Sequence, residues 1–217
     1  MRFQHIIWDW NGTLLDDTQA GVNAVNAMLT ARALPTIDVP RYREIFGFPV
    51  INFYRTIGFP IKRENWDAVA REFHDRFLAD PTIRLHAHAR RALDLFREAG
   101  TGQSILSASE QSILDAMLDE YGIADYFDCA WGVDNLYGQS KLQLGRSLIE
   151  RLALDPAALL MIGDSLHDHE VARDLGASCL LIAGGHQSRT RLVRSGAPVL
   201  DSLAEIPLWI KKQAAAL

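Results

Sequence analysis

The hydrophobic positions change rhythm twice along the chain. Residues 3–8 form a short apolar run rich in β-formers that ends in Asp9-Trp10-Asn11-Gly12-Thr13, a strand running into a turn. From 17 to about 34 the period becomes helical, with Val22, Val25, Leu29 and Ala33 at roughly three- and four-residue steps. Pro35 and Pro40 break the chain, and two aromatic-rich segments follow at 42–48 and 50–57. Residues 63–78 read as an amphipathic helix, because Trp66, Val69, Phe73 and Phe77 recur on one face. Nothing between 17 and 83 alternates as a strand does.

Beyond Asp80-Pro81 the pattern becomes strictly alternating. Helices are predicted at 88–99, 110–121, 141–152, 167–175, 188–194 (weak) and 203–215, with strands at 103–107, 129–133, 158–162, 178–182 and 198–200. Strands interleaved with helices of this length imply βαβ units and a parallel sheet covered on both faces. The strand at 3–8 has no local partner, so it is expected to join that sheet. The fold class is α/β: a doubly wound, Rossmann-like parallel sheet with an inserted all-helical cap domain. Residues 1–16 and 84–217 are expected to form the core, and 17–83 the cap.

Composition agrees with a folded chain. Of 217 residues, 48% are apolar and 23% charged, and mean hydropathy is −0.02, which excludes an intrinsically disordered protein. The two cysteines, Cys129 and Cys179, form no metal-binding pair, so a reducing compartment is the default and a cytoplasmic location is expected. No apolar run reaches the length of a membrane span, and Asp9 interrupts the N-terminal run too early for a secretory signal. Net charge is −5, the wrong sign for a nucleic-acid partner. The segment 17–83 holds eight basic and eight acidic residues, so the whole deficit lies in the remainder of the chain.

Ligands of open parallel sheets bind beyond the carboxyl ends of the strands. After the first strand come Asp9, Asn11, Gly12 and Thr13; after Ser104-Ile105-Leu106 come Ser107, Ala108 and Ser109. Gly163-Asp164-Ser165 follows another strand with Asp168 one turn on, and Lys141 opens a helix after the Gly138 loop. These positions place a carboxylate nucleophile, hydroxyl donors, a cation and two further acids on one rim. Each has a plainer reading: Asn-Gly is common turn chemistry, Asp164 and Asp168 suit a helix N-terminus, Ser107 could be a satisfied buried hydroxyl, and most lysines are solvated.

Taken in order, Asp9-x-Asn11-Gly12-Thr13-Leu14, Leu106-Ser107-x-Ser109, Lys141 and Gly163-Asp164-Ser165-x-x-Asp168 resemble the four motifs of the haloacid dehalogenase-like hydrolase superfamily. The helical insertion resembles the cap of its phosphoglycolate-phosphatase-like members, which Gly47-Phe48-Pro49 and Asp201-Ser202-Leu203 also suit. The resemblance covers nearly the whole chain. It implies phosphoric monoester hydrolysis of a small phosphorylated metabolite by a monomer or homodimer, with Asp9 becoming an aspartyl-phosphate and Lys141 supplying positive charge. It further implies Mg²⁺ held by Asp9, the Asn11 carbonyl and Asp164, with Asp168 bonding to the ion's waters or to Lys141. Ser107 and the N–H groups of Gly12, Thr13 and Ala108 would hold phosphate oxygens.

One departure matters. Phosphatases of this superfamily usually carry a second Asp where Asn11 stands, to protonate the leaving group and then activate water. An amide does neither. The leaving group could be a good one, His167 could serve as acid, or turnover could be slow. Three other readings stay open: a weakened phosphate-binding or regulatory module, a carbon–phosphorus bond hydrolase using Lys62, and a dehalogenase, whose relatives carry a bulky aromatic at this position. Within the cap, Trp66, Phe73 and Phe77 read as core, Phe48 as facing the cleft, and Arg43 and Arg55 as possible partners of a substrate carboxylate. Trp10 is large enough to shape the cleft mouth.

Overall fold

The computed structural model describes residues 3–137 and 141–215, so the predicted loop at Gly138 lies outside the described residues. The main sheet is built from β1 (His5–Trp8), with β4 (Gly102–Glu110), β5 (Cys129–Val133), β6 (Leu159–Gly163), β7 (Ser178–Ile182) and β8 (Val199–Leu200). Two short strands, β2 (Leu15–Asp16) and β3 (Arg84–Leu85), pair with each other instead. The main sheet is parallel throughout, in the order β5-β4-β1-β6-β7-β8. The chain therefore fills one side of β1 and then returns to fill the other, the doubly wound order whose reversal opens a crevice beside the first strand.

The central strands read as continuous apolar runs because both faces are covered. Ile6 and Trp8 of β1 pack into one buried cluster with Phe96, Ile105 and Ile162, whereas Ile7 packs into another with Leu106, Leu148, Met161 and Val171. The helices that supply these clusters are α5 (Ala89–Glu98), α6 (Gln111–Glu120) and α10 (Ile206–Ala215) on the first face, and α7 (Leu142–Leu152) and α8 (Leu166–Leu175) on the second; a short α9 (Arg189–Leu192) follows β7. Among the described residues, no helix is long and apolar enough to cross a membrane.

The inserted helices are α1 (Thr18–Ala31), α2 (Val39–Ile45), α3 (Val50–Thr56) and α4 (Trp66–Leu78). They enclose their own apolar cluster around Val25, Met28, Leu29, Tyr42, Phe53 and Tyr54. Pro40, expected to break the chain, instead sits in the first turn of α2, where its missing N–H has no intrahelical partner to lose. Asp38 caps that helix by accepting from Arg41 N at 2.8 Å. The aromatic segments at 42–48 and 50–57 thus become α2 and α3. The β2–β3 pair was not foreseen, since two residues per strand show no alternation; it spans the two points where the chain leaves and rejoins the sheet, tied by Arg84 to Asp16 at 2.7 Å.

Elsewhere the boundaries move by a few residues. The strand predicted at 103–107 runs from Gly102 to Glu110, with a register shift against β5 between Leu106 and Glu110. That irregularity carries Ser107, Ala108 and Ser109 and turns the chain at the rim. Asp201-Ser202-Leu203 opens a short 3₁₀ turn through a capping box between Ser202 and Glu205.

Candidate active site

The crevice opens between β1 and β6, and its floor is acidic. Asp9 leaves β1 with its N–H on Ile162 O at 2.8 Å; Asp164 leaves β6, and Asp168 lies in the first turn of α8. One carboxylate oxygen from each of the three lies within 4.8 Å of the others, and all three residues are buried. Lys141, only 1% exposed at the start of α7, reaches into this group. Its ammonium donates to Asp9 Oδ1, to Asp168 Oδ1 at 2.7 Å and to Leu106 O at 2.8 Å, which accounts for all three N–H bonds.

Asp168 is fully occupied. Its other oxygen accepts from Asp164 N, Ser165 N and Ser165 Oγ at 3.1, 3.0 and 2.7 Å, so it orients Lys141 and caps α8 together with Ser165. Burial works against its charge, yet Lys141 and Ser165 outweigh burial and hold its pKa below the ordinary value. Burial likewise opposes the Lys141 charge, and the Asp168 and Asp9 carboxylates overcome it to raise that pKa. Asp9 goes the other way: burial first, and then the Asp168 charge, push it up to about 6 against the pull of Lys141. Burial also carries Asp164 well above its usual range, although His186 pulls it down.

A second group of residues meets the first. Asn11 Nδ2 donates to Asp17 Oδ2 at 2.7 Å, Gly12 N donates to Asp17 Oδ1 at 2.8 Å, and His186 Nε2 lies 3.1 Å from that same oxygen. His186 Nδ1 pairs with Tyr42 OH of α2 at 3.0 Å, and its backbone N–H donates to Asp164 Oδ2. Burial disfavours charge on this ring, but Asp17 more than compensates and lifts its pKa to about 9. Gly12 holds φ at +76°, and a Cβ there would collide with the Asp164 carboxylate and the His186 ring. The turn therefore requires glycine for both conformation and space.

Four buried acidic residues, Asp9, Asp17, Asp164 and Asp168, thus meet two basic ones, Lys141 and His186. A divalent ion would favour the ionised forms of Asp9 and Asp164 against the burial that raises their pKa values, and the donors are hard oxygens of the kind Mg²⁺ takes. The residues present fit such an ion.

Several expected residues meet here and others do not. Asp9, Asn11, Ala108, Lys141, Asp164 and Asp168 line one cavity of about 140 Å³. The N–H groups of Gly12 and Thr13, expected to hold phosphate, already have partners: Gly12 donates to Asp17 and to Leu15 O, and Thr13 to Trp10 O. Thr13 contributes its hydroxyl instead, 3.2 Å from Asp9 Oδ2. Ser107 is buried and accepts from Ser109 N at 2.9 Å; Ala108 and Ser109 reach the cavity wall, and Ser107 does not.

His167 packs against Phe48 with ring centres 4.7 Å apart and planes tilted by 31°, and it does not line the cavity. Trp10 is fully buried beneath the site rather than at its mouth. Arg43 is spent on the carbonyls of Gly184 and Gly185, Arg55 on Asn52, and Lys62 is exposed on a 3₁₀ turn; none lines the cavity. Trp66, Phe73 and Phe77, read as core, do pack in or against the buried apolar clusters, and they also form part of the cavity wall with Phe48. Asp17, Tyr42 and His186 were not foreseen. Reading on from β7 as from the other strands reaches His186 four residues past Ile182, whereas Asp17 reads only as the start of a helix.

The chain is similar to known proteins over nearly its whole length. Among curated relatives, the "Probable phosphatase IndB" of Dickeya dadantii (strain 3937) is 24% identical over 208 residues, covering 93% of this chain and 90% of that protein. A phosphoglycolate phosphatase of Chromobacterium violaceum is 26% identical over 219 residues, covering 95% and 97%. Among solved structures, a "predicted phosphatase from Clostridium acetobutylicum" superposes with a TM-score of 0.80 at 19% identity, covering 97% of this chain and 99% of that one; this shows the shared fold. The family model described as haloacid dehalogenase-like hydrolase matches residues 6–182, and the chain belongs to that family.

Proposed function

We propose that the protein is a Mg²⁺-dependent phosphatase that hydrolyses a small phosphorylated metabolite through an aspartyl-phosphate at Asp9. The observation that carries this reading is the convergence of Asp9, Lys141, Asp164 and Asp168 at the floor of one cavity, where β1 and β6 part. Phosphatase relatives covering nearly the full chain support it. Residues 17–83 act as the cap and residues 1–16 with 84–217 as the core. Two unpaired thiols, Cys129 and Cys179, accord with a cytoplasmic setting.

Asp9 is held ready for attack by Lys141 on one oxygen and Thr13 on the other. Its carboxylate oxygen forms a bond to phosphorus as the ester P–O bond breaks, and the departing oxygen takes a proton from water or leaves as an anion. Water then attacks phosphorus, the Asp9–phosphorus bond breaks, and inorganic phosphate departs. Mg²⁺ held by Asp9, Asp164 and the Asn11 carbonyl would neutralise phosphate charge as a Lewis acid. Asp168 acts by orienting Lys141, and the Ala108 N–H at the cavity wall supplies a phosphate contact. The cap helices exclude bulk water.

The test is hydrolysis of acetyl phosphate and para-nitrophenyl phosphate with Mg²⁺. Asp9→Ala should abolish both activities, and beryllium fluoride with magnesium should leave an adduct on Asp9. Turnover that survives Asp9→Ala would overturn the reading. Asn11 favours one rival, a module that binds phosphate without turnover. Its signature is an inactive wild type that Asn11→Asp brings to life.

A further inference from the structure

The cavity above the carboxylates has a wall unlike its floor. Phe46, Phe48, Phe53, Tyr54, Trp66 and Phe73 all line it, contributed by α3, α4 and the loop between α2 and α3. They contact one another ring to ring: Phe46 lies 5.8 Å from Phe48 and 5.4 Å from Phe53, and Tyr54 lies 5.3 Å from Trp66. Aliphatic Val25 and Val50 fill the gaps. The floor holds the charge; the wall holds rings.

None of the eight basic residues between 17 and 83 lines the cavity. Arg32 is taken by Glu64 and Glu72 at 2.6 and 2.8 Å, and Arg43 and Arg55 are engaged as described above. His74 lines the wall, but its Nδ1 donates to Ala70 O at 2.8 Å and burial lowers its pKa, so it offers no cation. Lys141 and His186 do line the cavity, but neither has a donor left over: the Lys141 ammonium is filled as above, and the His186 ring nitrogens are held by Asp17 and Tyr42. A leaving group carrying a carboxylate would put a second, unpaired anion against aromatic carbon, which is strongly unfavourable. An apolar ring there would gain burial and edge-to-face contacts. Floor and wall together enclose about 140 Å³, close to the roughly 150 Å³ of a cavity known to take benzene, so beside a phosphate there is room for no leaving group larger than one ring.

We infer that the substrate is a phosphate monoester whose leaving group is a single apolar ring with no carboxylate, bound with its phosphate on the Asp9 floor and its ring against the cap aromatics. This rests on the phosphatase reading and narrows it away from phosphoglycolate, the substrate named for several relatives. It also suits Asn11, because aryl oxygens depart without a general acid more readily than alkyl ones.

The test compares benzyl phosphate with phosphoglycolate, both esters of primary alcohols, so the difference reports binding more than leaving-group basicity. Acetyl phosphate serves as a turnover control. Benzyl phosphate should be hydrolysed with kcat/KM about tenfold or more above phosphoglycolate, the scale expected from burying one ring. Val50→Arg, which adds a cation to the wall, should reverse the ratio toward phosphoglycolate. Equal or better use of phosphoglycolate by the wild type overturns the inference while leaving the phosphatase reading intact. If neither ester turns over, titration with benzylphosphonate and phosphonoacetate decides the wall, and if acetyl phosphate is not hydrolysed either, the phosphatase reading fails. Tighter benzylphosphonate supports the ring, and tighter or equal phosphonoacetate sinks it.

Discussion

On the proposed mechanism Asn11 would stand where an acid hands a proton to the departing oxygen, and its amide donates to Asp17 at 2.7 Å. Asn11→Asp would set two carboxyls at hydrogen-bond distance, and such a pair retains one proton to higher pH. That retained proton is what a general acid needs. Hydrolysis of a poor leaving group such as benzyl phosphate should therefore rise by about 10²–10⁴, while para-nitrophenyl phosphate changes little. An equal effect on both esters would remove Asn11 from the acid position. A separate pH effect follows from His5 and His74, whose pKa values burial lowers, against the pull of Asp128 on His5 and the Ala70 carbonyl on His74. Below an unfolded pKa near 6.5 the unfolded chain takes up protons first, so these two groups remove stability as pH falls and restore it above about 6.5. Asp9, Asp164 and His186, whose pKa values are raised, act in the opposite sense, so the test is a difference: in urea unfolding, His5→Gln should lose less stability than the wild type between about pH 7.5 and 5.5. Asp9 and Asp164 were legible because a strand end fixes where a polar residue emerges, Asp168 because it follows one helical turn on, and Lys141 only through its place in the order of motifs. Asp17 was not: it precedes α1 without capping it, and its side chain turns back to Asn11 and Gly12.

At the scale of elements, α2 is fastened to the loop after β7. Arg191 donates to Arg43 O and Phe46 O at 2.8 and 2.7 Å, at the C-terminal end of α2 where its dipole favours a cation. Gln187 donates to Phe46 O while accepting from Leu166 N, and Arg43 reaches back to the carbonyls of Gly184 and Gly185. The order of helices and strands was readable from periodicity, but this clasp was not. It joins two segments more than 140 positions apart through backbone carbonyls, which no side-chain pattern marks. The aromatic wall was hidden for a related reason. Helical spacing shows that Trp66, Phe73 and Phe77 share a face, not whether that face meets packed carbon or a cavity. Arg191→Ala leaves two carbonyls short of a charged donor, a loss of about 1–3 kcal/mol. The clasp should loosen, raising KM several-fold and speeding proteolysis between α2 and α3. An unchanged KM with faster global unfolding would make the contact purely structural.

For the whole molecule, the decisive quantity is the charge that folding gathers at the sheet's reversal. Bringing Asp9, Asp17, Asp164 and Asp168 together without water costs stability that Lys141 and His186 only partly offset, because a buried charge needs a close opposite charge. A dication binding the folded chain alone should therefore stabilise all of it. At a hundred times its Kd the gain is about 2.7 kcal/mol, and for a chain of this size each kcal/mol moves Tm by roughly 2–4 °C. Saturating Mg²⁺ should accordingly raise Tm by roughly 5–10 °C, and EDTA should reverse the shift. Asp164→Asn separates this effect from general ion binding. The amide oxygen still accepts the His186 N–H, but one repelling carboxylate is gone, so Tm without Mg²⁺ should hold or rise while the Mg²⁺ increment disappears. A variant that keeps the full increment would show that the ion binds elsewhere on this acidic chain. A variant that unfolds without Mg²⁺ would show that Asp164 serves packing before chemistry.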